Sequence, residues 1–282
     1  MIFGLMLSNI IHVYASTKIK GLIIIILCMS SFSSIGQKKY HSNAVFGGSL
    51  PQLAGNSNEI VFREAYVLSA NPKTKLADWV LYRLDEEYIN GPERNRNWKV
   101  DPKLPDSLTL EPSPDDYKGA YAAYKFDRGH MAPLGSFDGY EMWHEVNYYS
   151  NIAPQMAALN RGVWKKLESV ERELVDDCLN LYVMCGTIYE DSMPSLPNAD
   201  EPHVVPSHFW KILVCETDLD TNVASFIFPQ GAAQSSPLYD YSVTLKEIEN
   251  RSGYSLFGAQ PKIWKASFDH FIMDEWIVKK TR

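Results

Sequence analysis

Cysteine is scarce in this chain, with four among 282 residues. No C-x-x-C and no H-E-x-x-H pattern occurs, so a zinc centre has no support in the sequence. A basic surplus is missing too: 27 Lys and Arg face 34 Asp and Glu, a net charge of −7. That balance argues against a protein that coats nucleic acid along its whole surface, although a local groove can still be basic on an acidic body. Long apolar runs are absent. The run Gly21–Leu27 falls well short of the roughly 20 residues that a membrane-spanning helix needs. No internal repeat and no low-complexity linker divides the chain.

What is present begins with a leader pattern. Lys18 and Lys20 precede the short apolar run, and small or polar residues fill Ser30 to Gly36. This is the layout of a secretory signal peptide covering residues 1–36, with Ser34 and Gly36 at the −3 and −1 sites of a cut before Gln37. It predicts export to the periplasm or the exterior. Lipid attachment at Cys28 is the less favoured alternative, because Leu27 is bulky where a small residue is wanted. The leader holds two lysines and no acid, so the remaining chain carries 25 basic and 34 acidic side chains, or −9. It has no stretch able to span a membrane. Its cysteines are Cys178, Cys185 and Cys215, an odd number that leaves at least one thiol free unless it pairs between chains. Cys185 and Cys215 sit in apolar, strand-like runs and are expected to be buried.

The expected organisation is an irregular arm over 37–58 and one domain over 59–282, long enough to bury a sizeable core. Strands are predicted at Glu59–Leu68, Trp79–Leu84, Tyr124–Asp127, Leu181–Tyr189, Phe209–Glu216 and Asn222–Phe228. A short helix is predicted over Asp138–Tyr149, and another over Ser242–Asn250, closed by Gly253. The clearest helix is Gly162–Asp177, where Trp164, Leu167, Val170, Leu174 and Val175 recur at helical spacing. Strands, a helix, then more strands indicate an α+β sheet layered with helices. The stretch Asn90–Tyr117, with five prolines, reads as a long loop, and such loops are often functional.

Chemistry concentrates in Asp127-Arg128-Gly129-His130, in Asn160 thirty residues after that histidine, and in Glu168 beyond it. Neutral imidazole can take a proton from water, oxygen ligands can hold a hard cation, and arginines can meet the charge that grows on a phosphate. Plainer readings compete at each position. Asn160 stands before the helical segment and could be its N-cap. Glu168 and Arg172, four apart, could form a surface ion pair, and Arg128 a structural salt bridge with a neighbouring acid. They account less well for D-R-G-H, N-I-A-P-Q and L-N-R-G-x-W in one order.

On these motifs, with Arg96-Asn97-Trp98-Lys99 and Pro206-Ser207-His208-Phe209-Trp210-Lys211, the chain resembles the DNA/RNA non-specific endonucleases, the ββα-metal nucleases related to endonuclease G. The secreted bacterial branch is the nearer match, and the resemblance runs from about Ile60 to about Gly258. It implies a central antiparallel sheet flanked by helices, with a strand-loop-helix metal finger whose strand region ends at His130 and whose helix opens at Asn160. It implies cleavage of DNA and RNA, single or double stranded, to 5′-phosphate ends. His130 would be the general base and Asn160 the ligand of one Mg2+ or Mn2+, with Glu168 holding the metal's waters. Arg96 and Arg128 would grip phosphate, Asn151 and Arg172 would support the site, and Asp127 would position the turn. Related nucleases are often dimers, which raises a homodimer without marking its surface. Two other functions fit the same residues: hydrolysis of nucleotides or small phosphodiesters, and a catalytically silent nucleic-acid-binding scaffold.

Overall fold

The structure is a computed structural model that describes residues 42–257 apart from Pro114. The expected leader, Cys28, residues 37–41 of the arm and residues 258–282 lie outside the described residues. In chain order the strands are β1 Glu59–Phe62, β2 Val67–Ala70, β3 Ala77–Leu84, β4 Phe126–His130, β5 Ile152–Met156, β6 Asn180–Ile188, β7 His208–Glu216 and β8 Thr221–Pro229. The α-helical segments are α1 Glu86–Ile89, α2 Ala120–Tyr124, α3 Ala157–Leu159, α4 Lys165–Leu174 and α5 Leu245–Ser252. Six strands form one antiparallel sheet in the order β1-β2-β3-β6-β7-β8, while β4 and β5 pair as a separate antiparallel ribbon. The α+β expectation of a central antiparallel sheet with flanking helices holds.

Alternation along the central strands sorts the core into two layers. Val80, Tyr82, Val183, Cys185, Phe209 and Leu213 pack on one face with Trp164, Leu167, Val170 and Leu174 of the α4 region. Trp79, Leu81, Met184, Trp210, Ile212 and Val214 pack on the other with Phe46, Leu50, Leu245 and Ile248. Fully burying each such side chain contributes roughly 1.5–3 kcal/mol, so α4 is fixed mainly by its apolar stripe. Over its described residues the arm expected to be irregular forms a short 3-10 turn, Phe46–Gly48, and an isolated bridge from Gln52 to Ser255, and Ala44, Val45, Phe46 and Leu50 are buried in the second layer. Among the described residues no helix is long and apolar enough to cross a membrane.

Three expectations need correction, and one left open is resolved. Glu59–Leu68 is a hairpin: the Arg63 N–H donates to Tyr66 O at 2.8 Å, and the buried Arg63 guanidinium pairs with Asp101, which an uninterrupted strand would not arrange. Asp138–Tyr149 holds no α-helix but a 3-10 turn at Trp143–Asn147, followed by another at Tyr149–Asn151. Asn147 and Asn151 turn their amides onto loop groups and a ring nitrogen instead of supporting a helix. The main helix does not open at Asn160. It starts with α3, passes through a π-type turn at Asn160–Trp164 and continues as α4, with Gly162 out of helical geometry (φ −104°, ψ −115°). The cysteine pairing, left open by the sequence, is Cys178 with Cys215, which ties the end of the α4 segment to β7; Cys185 and Cys215 are both buried as expected, and Cys185 is a free thiol.

Candidate active site

The ribbon and the bulged helix bring the D-R-G-H residues and the L-N-R-G residues onto one cavity. Gly129 pairs with Ala153 across the ribbon, and any Cβ there would land on the buried Gln155 side chain. Any larger residue would have to displace the buried Gln155 side chain, a local reason for the third letter of D-R-G-H. His130 ends β4 with 9% of its surface exposed. Its carbonyl accepts from Trp164 Nε1 at 3.3 Å, fastening the ribbon to the helix, and its ring lies 5.2 Å from that of Trp98. Its Nε2 stands 3.1 Å from Asn147 Oδ1. An amide oxygen can only accept, so the proton sits on Nε2 and the Nδ1 lone pair is left uncommitted. Burial pushes the imidazole down to about 4, with the Arg96 charge adding to the fall and the Asn147 bond opposing it.

Asp127 acts on the other half of the site. It accepts Asn160 Nδ2 at 3.0 Å and takes both arms of Arg161, Nε at 2.8 Å and Nη2 at 2.7 Å. With its amide nitrogen bound to Asp127, Asn160 is left with Oδ1 as its outward donor atom. The N-cap reading of Asn160 does not hold, since helical geometry begins before it. The π-type turn is possible because Gly162 faces the backbone of Gln234, whose Cα a Cβ would approach to 2.6 Å.

One turn on, Glu168 lines the cavity, and burial pushes its carboxyl up to about 7, against the opposing pull of Lys211. Beneath it lies a closed ionic group. Lys211 Nζ binds Glu171 Oε1 at 2.8 Å and sits 4.1 Å from the Trp164 ring centre, and Tyr82 OH donates to Glu171 Oε2 at 2.8 Å. Arg172 donates to Ser136 Oγ at 3.3 Å and to Ser169 Oγ at 3.0 Å.

These residues line a cavity of about 1060 Å³ together with Arg94, Arg96, Arg128, Lys165 and Asp138. Six basic and four acidic side chains line it, so the groove is locally basic on an acidic chain. Arg96 is exposed there. Arg128 is held: its Nη2 pairs with Asp115 at 2.5 Å and its Nε donates to Tyr149 OH at 3.0 Å, the salt bridge that competed with a phosphate role. Asn151 does not line the cavity. Fully buried, it accepts from Ala132 N and donates to the carbonyls of Ala132 and Val146, fixing the loop after His130.

Sequence reasoning missed Asn147, Asp115, Arg161 and the Lys211–Glu171 pair. Lys211 left a signal, a lone cation on the inward parity of an apolar strand between Phe209 and Leu213. Asn147 left only its spacing from Asn151.

The family described as DNA/RNA non-specific endonuclease matches residues 50–262. A nuclease of Serratia marcescens is 40% identical over 76% of this chain and 80% of its own length. Nuclease C1 of Cunninghamella echinulata is 31% identical over 72% of this chain and 84% of its own. Human mitochondrial endonuclease G is 30% identical over 72% and 70%. In three dimensions, a solved structure of EndoG in complex with EndoGI superimposes with a TM-score of 0.63 at 23% identity, covering 73% of this chain and 89% of that one, which supports the fold.

Proposed function

The chain belongs to the DNA/RNA non-specific endonucleases, and from that premise we propose an exported, sugar-non-specific nuclease that hydrolyses DNA and RNA, single or double stranded, to 5′-phosphate products. One observation carries the reading. On a single cavity, His130 has its ring proton committed to Asn147 and Asn160 donates from its amide nitrogen to Asp127. What the two side chains have left is a basic ring nitrogen and a neutral amide oxygen.

A hard divalent ion fits that donor set, because the free donors are the Asn160 oxygen and the Glu168 carboxylate, with no thiolate among them. Asn160 would hold Mg2+ or Mn2+ directly, and Glu168 would hold it through its waters. When bound, the ion supplies positive charge against the phosphate and acidified water near the leaving group. His130 Nδ1 takes the proton from the attacking water, and in-line displacement at phosphorus expels the 3′ oxygen. Because the nucleophile is water, the ribose 2′-hydroxyl is not required, so both sugars are accepted. Arg96 meets the phosphate charge. Arg128 reaches phosphate only by sharing a guanidinium already engaged with Asp115 and Tyr149. Asp127, Asn151 and Arg172 hold the site's parts in place. Contacts to phosphate carry no direct sequence information, which favours broad specificity. Export rests on the leader pattern of residues 1–36.

The test is cleavage of plasmid DNA and of RNA by the purified protein, with Mg2+ and with EDTA, beside His130→Ala and Asn160→Ala. Metal-dependent loss of both polymers is expected, with each variant slower by roughly a hundredfold or more. Intact polymers under every condition would remove this reading and bring small phosphodiesters or a silent binding scaffold forward.

A further inference from the structure

Away from the cavity, the irregular chain before α2 meets the irregular chain between β6 and β7. Three carboxyl groups converge there, from Asp116, Asp200 and Glu201, with one oxygen of each within 4.8 Å of the others. Asp116 is fully buried. Its Oδ2 accepts the Glu111 N–H, but its Oδ1 is closed to solvent and has no hydrogen-bond partner among the described residues. Glu201 Oε1 is also closed off, with no hydrogen-bond partner among the described residues. Asp200 is exposed, so the group opens to water on one side.

The obvious local donor does not serve these oxygens. His203 Nε2 accepts the Leu196 N–H at 2.9 Å, so its one ring proton is on Nδ1, which points to the Glu201 backbone carbonyl at 3.0 Å. Buried carboxylate oxygens without a donor are costly, and three anionic groups this close repel one another. Desolvation and the neighbouring Asp200 push the Glu201 carboxyl up to about 7. Among the described residues no Lys or Arg ion pair reaches these carboxyls, the charge of His203 opposes the rise at Asp116 only in part, and the cluster itself offers only oxygen.

We propose that Asp116, Asp200 and Glu201 form a binding site for a hard divalent cation of the Ca2+ type, separate from the nuclease cavity. Ca2+ fits better than Mg2+ because it tolerates irregular loop ligands and roughly six to eight oxygens, with water completing the open side. The site would pin two long loops to each other. Asp115, next to Asp116, holds Arg128 at the cavity, so the cation would also steady that ion pair. The proposal does not depend on the nuclease reading.

The experiment is calorimetric titration and thermal unfolding of the EDTA-treated full chain with Ca2+, in the Asn160→Ala background so that the cavity lacks its proposed ligand. One Ca2+ per chain is expected, with a Tm rise of about 5 °C or more at a hundredfold excess over Kd. Asp200→Asn and Glu201→Gln, chosen because neither removes the fully buried Asp116, should each abolish binding while unfolding no earlier than the Asn160→Ala parent in EDTA. No heat and no Tm shift would show that the carboxyls only share protons, and would overturn the proposal. Binding that persists unchanged in both variants would place the ion elsewhere and overturn it equally.

Discussion

His130 and Glu168 line one cavity with their proton affinities displaced in opposite directions, both chiefly by burial. For His130 the folded ring sits at about 4 while an unfolded histidine sits near 6.5. Between those values the unfolded chain binds more protons, so the stability present above pH 6.5 is lost as pH falls toward 4, by roughly 3 kcal/mol in all. In the role proposed for His130, an imidazole that stays neutral well below neutrality has its ring nitrogen unprotonated across the working range. Glu168 runs the other way. Its folded carboxyl sits at about 7, above the roughly 4.3 of an unfolded glutamate, so the folded state holds the extra proton. Its contribution is complete below about pH 4.3 and lost as pH rises through 7. Glu168→Gln removes that loss and leaves the His130 dependence in place. Urea unfolding in EDTA at pH 5 and pH 8 should show the variant gaining on the parent at the higher pH. An equal difference at both values would mean that Glu168 is not held protonated by its surroundings.

The element that decides the site is the interrupted helix, and it shows how far the sequence could be read. The apolar stripe Trp164, Leu167, Val170, Leu174 and Val175 located the helix, because burial follows periodicity. The long strands β6, β7 and β8 were legible for a similar reason, as apolar runs bounded by turn residues. The bulge was not legible. The π-type turn at Asn160–Trp164 arises where Gly162 leaves helical geometry against Gln234, some seventy residues away, and no local pattern encodes that contact. The Asn147 bond to His130 was hidden likewise, in aromatic sequence that looked helical but folds as 3-10 turns. His130, Asn160 and Glu168 were legible because their spacing in the chain is a motif. Their partners were not, because those come from separate loops. Gly162→Ala tests the bulge. The added methyl would press on the Gln234 backbone, and such overpacking costs about 1–3 kcal/mol. Asn160 and Arg161 stand just before it, so metal-supported cleavage should fall by tenfold or more while the variant stays folded by circular dichroism. Full activity with unchanged Tm would show that the helix accepts a regular turn there.

At the scale of the whole molecule, an acidic chain must engage a polyanion. Its net charge of −7 repels nucleic acid at long range, so attraction has to come from the cavity. Not all of the cavity's cations are available. Arg128 is paired with Asp115 and Arg161 with Asp127, which leaves Arg94, Arg96, Lys165 and Arg172 as cations without an ion pair among the described residues. Each phosphate contact on duplex DNA releases bound counterions and adds about −0.9 to the slope of log affinity against log salt. Three to four contacts therefore predict a slope of about −3, much shallower than that of a protein that coats the duplex. The measurement is fluorescence anisotropy of His130→Ala with a short duplex between 50 and 200 mM salt, a range over which such a slope lowers affinity by about sixtyfold. Adding Arg96→Ala or Lys165→Ala should each make the slope shallower by about one. A slope near zero would mean that the cavity does not bind the backbone. One near −8 would require phosphate contacts well beyond the cavity's free cations, with residues 258–282, which hold four lysines and an arginine, the first place to seek them.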